Sequence, residues 1–430
     1  MKILILMADE FRHDAAGFAG RDFARTPCLD RLAEGAAIFS RAYTPSPVCV
    51  PARQCFATGL YPERAGCRDF GEDLAPGAAT FARHFAEHGY YTVCCGKLHH
   101  RGVDQMQGWL HRIGSEQAVR WPSAFSDRMQ IGRQKWRGAA DVLEAGIGES
   151  PLALADDLAT QGACDFLKLR ISGRDGLPDD LPLLLMVSLQ QPHFPLLAPR
   201  ELLEECLARV QPLPDCGPSG HPDLDRGRLG AGQGVRPADI HRATAAYAAL
   251  VEMTDARFAR VLQTLEDCGE SLDDWLIVFC ADHGDMLGEH GLWGKRVFYE
   301  GSVRVPLWVR GPGIEPGHWS APCSLVDVFP TLCRLAGLPV PAGLDGGDLF
   351  APERSAPVFS QLGTEQIMVC RGPWKYMQLP HGEVLFHLEE DPRETVNLAS
   401  RASHEEILAG LRAEAGTQVD ATPKKNLKKT

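Results

Sequence analysis

The chain has 430 residues, 44% of them hydrophobic, which is ample for a large domain with a smaller appendage. Its formal net charge of −12 excludes a general nucleic-acid binder, so an anionic ligand must be met by local basicity. No apolar stretch approaches the roughly 20 residues that span a bilayer. The opening apolar run is too short and ends too acidic for a signal peptide, so a cytoplasmic location is expected. The fourteen cysteines are scattered without CxxC pairs and read as reduced, buried thiols rather than disulfides or structural zinc ligands.

Lys2 to Met7 (KILILM) is a continuous apolar run of strand length that ends in Ala8-Asp9-Glu10. Two carboxylates at the carboxyl end of a strand lie where open α/β sheets bind their ligands. Next, Cys49-Val50-Pro51-Ala52-Arg53 opens a short helical run that ends at Thr58-Gly59. Pro51 suits the first helical position, which puts Cys49 at or just before the helix start, where unpaired N–H groups and the dipole favour an anion. Arg53 lies four residues on, on the same face. A nucleophile beside a fixed guanidinium can attack a sulfate or phosphate ester, whose charge builds up on the non-bridging oxygens. Gly96-Lys97-Leu98-His99-His100 then follows the apolar Tyr90 to Cys95, with Lys97 and His99 spaced to share one side of an extended segment. Pro192-His193-Phe194-Pro195 follows the apolar Leu183 to Leu189 in the same way.

Gln211 to Pro237 is rich in Gly, Pro and Asp and reads as a mobile surface loop, either a lid or a tolerated insertion. A long helix is predicted over Ala238 to Asp267. The run Trp275 to Cys280 then ends in Ala281-Asp282-His283-Gly284-Asp285, so two strands deliver oxygen and nitrogen groups to one edge. Asp9, Glu10, Asp282 and His283 would make a mostly oxygen site for a hard divalent cation, calcium first and manganese second. A lone Asp after a strand is more often a turn or helix cap; two such motifs together with Cys49 reverse that weighting. Gly288 to Lys295 places a lysine shortly beyond. From Pro357 the segments PVFSQLG, IMVCRG, WKYMQL and VLFHL read as short antiparallel strands, followed by a final helix and the basic KKNLKK tail. The expected division is a catalytic unit over 1–350, a small α+β subdomain over 351–415 and a flexible tail over 416–430.

Taken together these motifs resemble the formylglycine-dependent sulfatases of the alkaline phosphatase superfamily, from Asp9 to about Leu398. The Cys-x-Pro-x-Arg core matches their signature, with Ala52 where Ser is usual. Their first-strand pair is usually Asp-Asp, or Asp-Gln in choline-sulfatase-like and phosphonate-hydrolase-like members, which carry Asp-His in the second motif; Glu10 matches neither pattern fully. The blocks Gly96 to Trp109 and Asp282 to Trp293 look most like choline-sulfatase and its relatives. The resemblance implies a large mixed, mostly parallel sheet flanked by helices, with a small C-terminal antiparallel subdomain. It implies a sulfuric ester hydrolase in which Cys49, matured to formylglycine, contacts one divalent metal with Asp9, Glu10, Asp282 and His283; magnesium is a further option for the ion.

By motif position, Lys97, His99, His193 and Lys295 inherit the polar roles, the family register choosing His99 over His100. His290 is another candidate histidine. Hydrated formylglycine would attack sulfur while Lys295, His193 and the metal stabilise the sulfuryl oxygens. Lys295 or His193 would protonate the departing alkoxide, and His99 would then take a proton so that sulfate is expelled. Arg53 and Lys97 would hold the oxyanion of residue 49. The implied partners are a small sulfate ester and a maturation enzyme, with a homo-oligomer as an option; neither nucleic acid nor membrane is expected. Trp109, Trp121, Phe125 and Trp136 are either an aromatic cage for a quaternary ammonium or simply core. Two other functions stay open: a phosphonate monoester or phosphodiester hydrolase, and a non-catalytic metal-binding protein with an unmodified Cys49.

Overall fold

The computed structural model describes residues 1–21, 23–114, 138–229, 233–351 and 355–420. Its main sheet contains β1 (Lys2–Asp9), β2 (Ala37–Phe39), β3 (Tyr91–Gly96), β4 (His111–Ile113), β5 (Leu183–Pro192), β6 (Trp275–Ala281), β7 (Leu307–Arg310) and β8 (Gly317–Trp319). Their spatial order is β8-β2-β7-β6-β1-β5-β3-β4. From β6 across to β4 all neighbours are parallel, whereas β7 is antiparallel to both of its own. The expected mixed, mostly parallel sheet is therefore present. The apolar run of β1 is unbroken because a central strand covered on both faces has no wet side, and Ile3 to Ala8 are all fully buried.

Register brings the strand ends level. Ala8 of β1 pairs with Ala281 of β6 and with Leu189 of β5, and Gly96 of β3 pairs with Ser188 of β5. Four adjacent strands thus end along one edge, each followed by polar residues singled out above.

Three helices matter for the site: α1 (Cys49–Thr58), α2 (Pro151–Ile171) and α3 (Pro237–Asp267). α2 and α3 pack against β5 and against each other. α1 begins earlier than Pro51 suggests, with Val48 as its N-cap and Cys49 as its first residue. Pro51 is tolerated there because N–H groups of the first turn have no partner inside a helix anyway. Gly59 closes α1 in the left-handed conformation (φ 67°), and its N–H donates to the Cys55 carbonyl.

The strands Val358–Leu362, Gln366–Arg371, Trp374–Leu379 and Gly382–His387 form an antiparallel meander. Its two faces follow the period-two alternation of the sequence. Ile367, Val369, Tyr376 and Leu385 pack on Leu408 and Leu411 of the closing helix α4 (Glu405–Asp420), while Met368, Cys370, Met377 and Phe386 pack on Tyr43, Phe298 and Tyr299. α4 takes in residues 416–420 of the segment expected to be a tail, and KKNLKK lies outside the described residues.

The described residues of the Gly, Pro and Asp-rich segment are pinned between Gly217 and Arg228. Arg228 donates to the carbonyls of Gly217 and His290, Asp223 pairs with His381, and Leu224 is buried among the residues that face the meander. Trp109 is core, 5% exposed and edge-on to Phe81 at 5.6 Å; Trp121, Phe125 and Trp136 lie outside the described residues.

Candidate active site

β1 presents Asp9 and Glu10, β6 leads into Asp282 and His283, and the first residue of α1 is Cys49. The Cys49 sulfur lies 3.1 Å from Lys295 Nζ, 3.3 Å from His283 Nε2 and 3.9 Å from Asp9 Oδ1. Ligand atoms of Asp9, Cys49, Asp282 and His283 all lie within 4.8 Å of one another, and a second group of Asp9, Glu10 and His193 shares Asp9 with the first. Four of the five residues expected to surround a metal thus fall in one group, while Glu10 falls in the second with His193. Burial pushes the Cys49 thiol up, and the Asp9 carboxylate adds to this, so a free thiolate is disfavoured here.

Glu10 shows how these residues fit a cation. Its backbone is left-handed (φ 65°), held by its N–H donating to Asp282 Oδ1 at 3.1 Å and its carbonyl accepting from the Tyr247 hydroxyl at 2.7 Å. Its carboxylate oxygens are buried and receive no hydrogen bond, although Lys295 Nζ is 3.3 Å and His193 Nε2 3.5 Å from Oε2. Burial, with the Asp285 and Asp9 carboxylates adding to it, pushes this carboxyl well above the usual range despite the nearby Lys295 charge. Buried acceptors without donors are what a cation would satisfy, and three carboxylates with one imidazole suit a hard divalent ion.

Three positive charges balance the carboxylates. Arg53 is 4% exposed, and four of its five N–H bonds are committed. Nε donates to Asp282 at 2.7 Å, Nη1 to Ser188 Oγ at 2.8 Å and to the Lys97 carbonyl at 2.9 Å, and Nη2 to Asp9 at 3.1 Å. Its geometry is that of a brace between the ends of β1, β3, β5 and β6. Lys97 Nζ sits 2.5 Å from Asp9 Oδ2. Burial would discharge Lys97 and Lys295, but the acidic groups beside them outweigh it: Asp9 first for Lys97, and Cys49, Glu10, Asp9 and Asp282 together for Lys295. Both ammonium groups are held above their usual range. Asp9, in turn, is held well below the usual carboxylate range, because Lys97 and Arg53 outweigh its own desolvation.

The histidines divide clearly. His193 Nδ1 contacts the Phe194 carbonyl at 2.6 Å, so Nδ1 carries the proton and Nε2 offers a lone pair towards Glu10 and Asp9. Burial, followed by the charge of Lys295, holds His193 well below the usual imidazole range. His99 (φ 62°) stands edge-on to Phe70 at 5.2 Å, and burial with the nearby Lys97 charge lowers it likewise. Both rings are neutral at pH 7. His100 instead bonds Gln54 at 3.0 Å, and His290 stacks on Tyr299 at 4.0 Å.

Sequence reasoning missed Ser188, Tyr247 and Asp285. Ser188 and Tyr247 lie inside a strand and a helix, where nothing marks them, and they act on Arg53 and on the Glu10 backbone. Asp285 ends the motif that follows β6 without any mark of its own; it is buried, and burial raises its carboxyl to about 7.

Comparison with known proteins covers nearly the whole chain. The family model described as Sulfatase matches residues 2–338. Choline-sulfatase from Rhizobium meliloti is 34% identical over 92% of this chain and 82% of its own length. Arylsulfatase from Clostridium perfringens is 26% identical over 95% of this chain and 92% of its own. Among solved structures, the phosphonate monoester hydrolase of Agrobacterium radiobacter superposes with a TM-score of 0.77 at 22% identity, covering 98% of this chain and 96% of that one. That last likeness concerns the fold.

Proposed function

We propose, from the premise that this chain belongs to the sulfatase family and is a hydrolase of sulfuric esters, that it cleaves a sulfate monoester using residue 49 matured to formylglycine. The observation that carries this reading is the placement of Cys49. Its sulfur contacts a lysine, an imidazole and a carboxylate, yet burial keeps it a poor thiolate. Such surroundings suit an oxygen nucleophile better than sulfur. Asp9, Glu10, residue 49, Asp282 and His283 would hold one divalent ion, calcium first and manganese or magnesium next. Such an ion would polarise sulfuryl oxygens and lower the pKa of a hydroxyl on residue 49. Formylglycine, as its hydrate, would supply two hydroxyls, one for attack and one for release of the product.

The chain's own groups then divide the remaining work. Arg53 keeps the carboxylates of Asp9 and Asp282 at a set separation, so the anionic pocket does not spread. Lys295, charged and 3.1 Å from the residue 49 side chain, binds a sulfuryl oxygen and gives the leaving oxygen its proton. His193, with Nε2 3.5 Å from Glu10 Oε2, lines the Glu10 side of the pocket. His99, neutral at pH 7, accepts the proton from residue 49 when product leaves, and Lys97 steadies the charge that appears there.

Choline sulfate is the first ester to try, given the choline-sulfatase relative. Because Trp109 is core, it is no part of an ammonium cage. The division at about residue 350 and a cytoplasmic setting belong to the same reading; all fourteen cysteines are free, as in a reducing compartment. Among the described residues no helix is long and apolar enough to cross a membrane.

The test is the mass of the tryptic peptide Ala42 to Arg53 from protein made in its own host, paired with rates on aryl sulfate and aryl phosphonate esters. The aldehyde mass with faster sulfate hydrolysis is expected. A wholly unmodified thiol overturns the mechanism in favour of binding alone, and faster phosphonate hydrolysis reassigns the substrate.

A further inference from the structure

Lys295 follows a small hairpin, Met286–Leu287 paired with Trp293–Gly294, and precedes the helical turn Glu300–Val303. Both ends of this loop are gripped by two successive residues of the C-terminal unit. His290 Nε2 meets the Arg393 carbonyl at 3.0 Å, and the Glu300 N–H donates to Glu394 Oε2 at 2.7 Å. Glu394 is 3% exposed, and its other oxygen accepts from Lys375 Nζ at 2.7 Å. Lys375, fully buried, also donates to Glu300 at 2.8 Å. Halfway along the loop the Arg296 N–H donates to the Pro47 carbonyl at 3.2 Å, which ties the residue after Lys295 to the segment leading into Cys49.

Three of the residues just named, His290 (φ 53°), Arg296 (φ 74°) and Glu394 (φ 56°), have a left-handed backbone without being glycine. Each such residue is costly and persists only where its surroundings over-determine it. A lysine ammonium on a flexible four-carbon stem carries little direction of its own. Its distance to residue 49 is therefore set by the backbone beneath it, and that backbone is held from Arg393 and Glu394.

We propose that Glu394 is a positioning residue for Lys295, and that with the Arg393 carbonyl it holds the 290–300 loop so that the ammonium reaches residue 49. The proposal rests on the reading of Lys295 as the group that binds the sulfuryl oxygen and protonates the leaving group. A double-mutant cycle on 4-nitrophenyl sulfate tests it, using the full chain with matured residue 49 and active-site concentrations corrected for the folded fraction. Glu394→Ala is expected to lower kcat/KM roughly 30-fold, within the hundredfold that a 1 Å misplacement can cost. In a Lys295→Ala background the same change is expected to lower it less than about 3-fold, because the group being positioned is gone. If Glu394→Ala does not fold, Glu394→Asp, one methylene shorter with its charge kept for Lys375, carries the same cycle.

An equal loss in both backgrounds, or a folded Glu394→Asp enzyme with the parent kcat/KM, overturns the proposal and leaves Glu394 a structural residue. A Lys295→Ala enzyme as fast as its parent overturns the reading of Lys295 itself, and the proposal with it. These failures are separable because each appears in a different corner of the cycle.

Discussion

Lys375, Glu300 and Glu394 form an ionic cluster as deeply buried as the one at the ends of β1 and β6, yet the two differ in what is left over. In the first, every charged group is spoken for: Glu300 meets Lys375, Arg304 and the Tyr43 hydroxyl, and Glu394 meets Lys375 and the Glu300 N–H. In the second, Arg53 and Lys97 close around Asp9 and Asp282, but the Glu10 carboxylate receives no hydrogen bond and a cysteine sulfur stands among the charges. A closed network stabilises one arrangement of the chain, whereas an open one in an equally dry place is unstable unless something else enters. Satisfaction of the charged groups, rather than burial or charge count, separates a bolt from a binding site.

The widest predicted contrast comes from Cys49→Ala. Hydrolysis of 4-nitrophenyl sulfate should fall by roughly a million-fold, as nucleophile removal does in other enzymes, while urea denaturation shows a midpoint close to that of the parent. An unfolded variant would break the distinction between the clusters. Lys375→Met attacks the closed cluster and leaves two buried carboxylates without their shared partner. Stability should fall by about 3–5 kcal/mol, the usual cost of breaking a buried pair by removing one member, read from the same urea curves.

Chelation sharpens the difference further. With free metal at a hundred times its Kd, stripping it should lower unfolding free energy by about 2.7 kcal/mol. The same decrement should appear in the Lys375→Met protein if its clusters are energetically independent. An effect of similar size, spread over about two pH units, comes from a single histidine. Burial, with Arg112 nearby, pushes His100 down to about 3 from an ordinary 6.5, so between those values the unfolded chain binds a proton that the folded chain refuses. The folded state therefore loses stability as pH falls below 6.5, by about 1.4 kcal/mol per pH unit for this one ring. His100→Gln should remove that slope in urea titrations at pH 6.5, 5.5 and 4.5; an unchanged slope would show that His100 takes up its proton in the folded protein.

By itself the sequence determined β1, β3, β5 and β6 of the main sheet, the helix opened by Cys49, the carboxylates at two strand ends and the antiparallel C-terminal meander. These are properties of short segments: an apolar run, a proline near a helix start, a two-residue alternation. Only the tertiary structure decided which of these residues meet. It set His99 beside the Lys97 and Asp9 charges while turning His100 towards Gln54, and it made Arg53 a brace across four strand ends. It also brought Tyr247 from the middle of a helix to the Glu10 backbone, and Glu394 from the C-terminal unit to the loop of Lys295. Such contacts depend on strand register, rotamers and the packing of segments far apart in the chain, none of which leaves a mark on the local pattern of residues.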